Sequence, residues 1–151
     1  MSKISLIYDA LVARCDSVLT DYSQLPNPYD IEANNELFLS KGFGVAVGAG
    51  LRTDRLISCQ KSWERTFSVI LTNQITTTEH NIDANETIQK SILEDHFALF
   101  SDLEKETTLS QITIRSQVEA DDGLEFVDLD DARYYAMQIT VLTEYLEDLT
   151  L

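Results

Sequence analysis

Two long stretches of this chain alternate apolar and polar residues with period two, and that alternation restricts the fold more than any other feature. In "WERTFSVILTNQITTT", Arg65, Phe67, Val69, Leu71 and Ile75 share one side. Thr66, Ser68, Thr72, Gln74 and Thr76 fall on the other, with Ile70 the exception. In "RYYAMQITVLTEYLEDL", Tyr135, Met137, Ile139, Val141 and Tyr145 share a face. Period two with many β-branched residues predicts strands. Each has an apolar face that another layer must cover.

Two stripes of helical spacing supply that layer. Ile4, Ile7, Tyr8, Leu11, Val12, Cys15, Val18, Leu19 and Tyr22 predict an amphipathic helix over about residues 2–22, stopped by the prolines of "LPNPYD". Ile88, Ile92, Leu93, His96, Leu99, Phe100 and Leu103 predict a second, opened by the capping-box-like pair Asp83 and Glu86. Between the second helix and the last strand, "TLSQITIRSQVEADDGLEFVDL" predicts a hairpin turning at Asp122-Gly123. "LRTDRLISCQKS" is expected to be a polar linker and residues 26–40 a loop. The expected order is α-β-β-α-β-β-β: an α+β domain spanning 1–151, with one antiparallel or mixed sheet and two amphipathic helices packed on it.

The stretch "GFGVAVGAG" holds four of the chain's five glycines. A dinucleotide fingerprint needs GxGxxG opening a helix. Here Gly42, Gly44 and Gly48 are spaced GxGxxxG, the following "LRTDR" has no helical stripe, and no Gly-Lys-Ser/Thr is present. Read with period two, Phe43, Val45, Val47, Ala49 and Leu51 lie on one side, and Gly42, Gly44, Ala46, Gly48 and Gly50 on the other. That predicts a strand with one bare face, where another backbone approaches closely, from this chain or from a neighbouring subunit.

The net charge of −15 excludes phosphate-seeking and anionic-membrane roles. The acids crowd the C-terminal third, with Asp121, Asp122, Glu125, Asp128, Asp130 and Asp131 at its centre. Their spacing around Gly123 is not that of an EF-hand, because Ala120 and Val118 stand where acids are required. A solvated acidic edge that discourages strand pairing is the expected role, with opportunistic divalent-cation uptake at Asp128, Asp130 and Asp131 as the alternative. Arg52, Arg55, Lys61 and Arg65 form the only local basic cluster and could meet the acidic surface of another copy.

No motif carries chemistry. Ser58 and Lys61 match SxxK without the partner motifs of that enzyme class. His80 and His96 lack HExxH spacing, and His96 sits on the helical stripe. Cys15 falls on an apolar stripe and neither it nor Cys59 is in a CxxC pair, which reads as a reducing compartment. No apolar run approaches the ~20 residues of a membrane span, and the N-terminus lacks the apolar run of a signal peptide. No cofactor, no metal and no enzymatic activity are expected.

The block "SWERTFSVILTNQI", the helix "DANETIQKSILEDHFALFSDL" and the tyrosine-bearing final strand together resemble the tail terminator (tail completion) proteins of long-tailed bacteriophages. The resemblance implies a non-enzymatic virion subunit that forms a homo-oligomeric, hexameric ring on the tail tube protein. The ring stops tube growth and presents a surface to the head–tail connector protein. DNA passes through its lumen without specific binding, and no membrane is involved. The interaction residues carried into this expectation are Gly42, Gly44, Gly48, Gly50, Arg52, Arg55 and Arg65; the acids above would form the lumen or acidic surface. A neck adaptor and an acidic DNA-mimic inhibitor are the alternatives.

Overall fold

The computed structural model describes residues 2–25, 41–57, 60–75, 82–106, 108–109, 111–129 and 132–148, with the side chains at 54–57, 60, 82–84, 129, 132 and 148 outside that description. The elements in chain order are α1 (Lys3–Val18), β1 (Ser23–Gln24), β2 (Lys41–Ile57), β3 (Gln60–Gln74), α2 (Ile82–Lys105), β4 (Arg115–Leu129) and β5 (Ala132–Asp148). Among the described residues, five strands form one mixed sheet in the order β1-β2-β3-β5-β4, in which only the β1–β2 pair is parallel.

The class is the α+β expected, but the element order is α-β-β-β-α-β-β. Two strands, not three, follow α2. The expected hairpin at Asp122-Gly123 is a single strand, β4, whose pairing with β5 slips by one residue between Asp121 and Leu124 and again between Val118 and Ala120. Gly123, at φ +80°, supplies the left-handed residue of a bulge rather than of a turn, and its N–H is held by the Asp121 carboxylate at 2.7 Å. Of the expected linker "LRTDRLISCQKS", residues 51–57 and 60–62 are strand as well. β2 and β3 stay paired out to Ile57 and Gln60, and β3 stays paired with β5 out to Asp148. Ser58, Cys59, His80 and the 26–40 loop lie outside the described residues.

Helix α1 starts where the Ser2 hydroxyl accepts the Ser5 N–H at 3.2 Å, and it ends at Leu19, short of the prolines. Tyr22 therefore leaves the helix but stays buried. Its hydroxyl lies 2.7 Å from the Asp95 carboxylate and 2.8 Å from the Asn73 side-chain carbonyl, tying the end of α1 to α2 and β3. Arg14 on α1 forks onto Asp102 at 3.0 and 3.2 Å and reaches Glu106 at 3.4 Å, locking the two helices side by side.

Cross-strand partners share a face in an antiparallel sheet. Phe43, Val45 and Val47 on β2 therefore sit with Leu71, Val69 and Phe67 on β3, and these with Met137, Ile139 and Val141 on β5. That face packs against Ile7, Leu11 and Cys15 of α1 and Ile92, Leu99 and Leu103 of α2 in one core. Both helices thus cover the same side of the sheet. Each of these side chains contributes roughly 1.5–3 kcal/mol by leaving water.

Candidate interaction surfaces

The glycines of β2 divide into three situations. Gly42 and Gly44 lie on the face turned away from the helices, and both are buried, as is Ala46. A methyl group on Gly42 would meet the Leu25 side chain at 2.5 Å and the Thr72 hydroxyl at 3.0 Å. A methyl on Gly48 would lie 2.7 Å from the carbonyl oxygen of Thr66, so here the neighbouring backbone itself comes close. The β2–β3 register slips between Val47 and Gly50, where β2 advances three residues and β3 only two, from Phe67 to Arg65. The alternation expected through 42–50 therefore breaks. Gly50 moves to the helix-side face opposite Arg65, and Leu51 moves to the other face opposite Glu64.

Arg65 fills the space Gly50 leaves. A methyl on Gly50 would collide with the guanidinium, which donates to the Gly48 carbonyl at 2.8 Å and to the Tyr145 hydroxyl at 3.2 Å. Arg65 thus clamps the bulge from within the chain. Arg52 is exposed, and the Arg55 side chain lies outside the described residues. Beside Arg52, Leu51 is 68% exposed, the most exposed large apolar side chain among the described residues.

The opposite side of the sheet ends in β4. Glu119, Asp121, Asp122, Glu125 and Asp128 are all exposed along it, while Asp130 and Asp131 lie outside the described residues. Two are tied down: the Asp121 carboxylate is 3.1 Å from the ring of His96, and Asp128 is 3.9 Å from Arg133. His96, buried on α2, is in ion-pair range of Asp121 without hydrogen-bond alignment. Phe126, 56% exposed, lies edge-on to Tyr135. On α2, Leu93 and the 65% exposed Phe97 sit one turn apart, on the flank away from Asp95 and Asp102.

Three features had no signal in the sequence. Buried Ser62 donates to the Glu144 carboxylate at 3.1 Å on the face without helices, with Arg115 3.9 Å from the same carboxylate. Lys41 lies 3.6 Å from Asp95 and over the Tyr22 ring. A half-open cavity of about 260 Å³ is lined by Ser2, Ile4, Trp63, Arg65, Tyr145 and Glu147, and the buried indole nitrogen of Trp63 has no partner. All three depend on residues brought together from distant positions, which no local pattern encodes.

The titratable groups with shifted affinities are held in their neutral forms. Burial, then the charges of Asp16 and Asp102, pushes the Cys15 thiol up to about 12. Burial, then the hydrogen bond and charge of Asp95, raises Tyr22 against a smaller lowering by Asn73. Burial raises Tyr134. Such groups do not serve as nucleophiles near neutral pH. Among the described residues no group of three or more His, Cys, Asp or Glu is placed to hold a metal ion, and no helix is long and apolar enough to cross a membrane. The chain matches no known family model and no curated protein sequence.

Proposed function

We propose that this chain is a structural virion subunit that caps the tail tube of a long-tailed bacteriophage as a ring and offers the surface for head–tail joining. The observation that carries the reading is the open sheet. One face is closed by both helices, and one side ends in a strand of fifteen residues, Arg115–Leu129, whose acids are exposed. An open sheet with side chains displayed at both lateral ends is suited to repeating contacts between copies. Acidic strands lining a ring would repel DNA phosphates, so that DNA slides through without being held. The stretches that carry the resemblance, "SWERTFSVILTNQI", "DANETIQKSILEDHFALFSDL" and the tyrosine-bearing final strand, fall in β3, α2 and β5. Light scattering with and without tail tubes tests it: the chain forms rings alone or on tube ends, and a chain that stays monomeric at high concentration and never binds tube ends contradicts it.

The acidic strand also favours a second reading, a DNA mimic that occupies a basic protein. That reading predicts tight binding to a nucleic-acid enzyme that weakens steeply with salt. A neck adaptor is separated from a terminator by its position in the virion.

A further inference from the structure

We propose that the β2–β3 arm of one copy, through Leu51 and Arg52, docks on the β4 edge of the next copy, around Phe126 and its neighbouring acids. The proposal rests on the ring reading above and names the two surfaces that would make the ring.

The two surfaces lie at opposite lateral ends of one sheet. β1 flanks β2 only at Gly42 and Phe43, so Leu51 and Arg52, paired with β3 on their inner side, have no described strand on their outer side. β4 is the outermost strand on the other side. The chemistry of the ends is complementary. Arg52 is an exposed cation in a chain of net charge −15, and β4 is the row of acids it can neutralise.

The register sharpens the match. Arg52 pairs with Trp63 and so belongs to the helix-side face. Asp121, Leu124, Phe126 and Asp128 pair with Ile139, Met137, Tyr135 and Arg133, which places them on that same face. Leu51 pairs with Glu64 and belongs to the opposite face, as does Val127 through its partner Tyr134. With two sheets side by side and helices on the same side, Arg52 meets acids and the Phe126 ring, a cation–π partner, while Leu51 meets Val127. Contact between two different patches is heterologous, so it propagates and closes into a ring when the rotation per copy allows.

Two double variants test this. Leu51→Ser with Arg52→Ala removes the arm contact, and Asp128→Asn with Phe126→Ser removes the edge contact. All four side chains are exposed, so each variant should melt as the wild type does. At a concentration where the wild type forms rings, alone or on tube ends, each variant alone stays monomeric, with its assembly midpoint raised at least roughly tenfold. Mixed one to one, the two variants form dimers and no rings, because one intact arm meets one intact edge. Rings formed by either variant alone, or a mixture that remains monomeric, overturn the proposal while the ring reading stands. A wild type that forms no ring even with tail tubes overturns both.

Discussion

Gly48 shows how much one missing side chain decides in β2. Its α-carbon faces the Thr66 carbonyl so closely that a methyl would sit 2.7 Å from the oxygen. Gly48→Ala is expected to destabilise the fold by about 1–3 kcal/mol, because backbone cannot move aside as a side chain can. Gly42→Ala meets the end of Leu25, which can rotate, and should cost less. Thermal melts of the two variants check the ranking, and an equal or reversed order would refute it. That the glycines serve a strand and not a phosphate loop was legible from their spacing. That Gly50 changes faces was not, because the slip is set by partners on β3 and leaves no trace in β2's own sequence. Cys15 illustrates the opposite case. Its place on the apolar stripe marked it as core, and it is buried and free. With its thiol pushed up to about 12, it should resist alkylation at pH 8 until the chain unfolds. Mass spectrometry after iodoacetamide treatment of a Cys59→Ser variant measures this, and rapid native-state labelling would contradict it.

Helices α1 and α2 and the long strands β3 and β5 were legible because each carries its own period over many residues. β4 was not. Two bulges put its side chains out of phase, and Asp-Gly is as good a bulge signal as a turn signal until a partner strand decides between them. The arm of β2 and β3 was hidden for a related reason: residues 51–57 and 60–62 pair as strands although their sequence is polar, so polarity there does not mark a linker. The helix pair depends on Arg14, which is only about a third exposed and meets two carboxylates. Arg14→Ala should lower stability by about 1 kcal/mol, and Arg14→Lys should recover only part of it, since lysine cannot fork. Tyr22 joins α1 to α2 and β3 and carries a pH signature. Its folded-state affinity for the proton is raised above the unfolded value of 10.0, as is that of Tyr134. The stability they contribute is present below about pH 10 and is lost as pH rises beyond it. Denaturant melts from pH 8 to 11 should show that fall in the wild type and a shallower one in Tyr22→Phe; equal slopes would refute the assignment.

The fold leaves the acids of β4 exposed on one side and Leu51 with the cation Arg52 on the other, so a chain of net charge −15 carries complementary charge at the two ends of its sheet. Function was less legible than fold, since neither acidity nor a bare strand specifies a partner by itself. The register supplied what the sequence lacked, namely which exposed residues share a face at opposite ends of the sheet. The most direct measurement is negative-stain electron microscopy of tail tubes incubated with the purified chain. The proposed function predicts a ring of added density at one end of each tube and no further growth from that end. Tubes with bare ends that continue to lengthen in the presence of excess chain would contradict it.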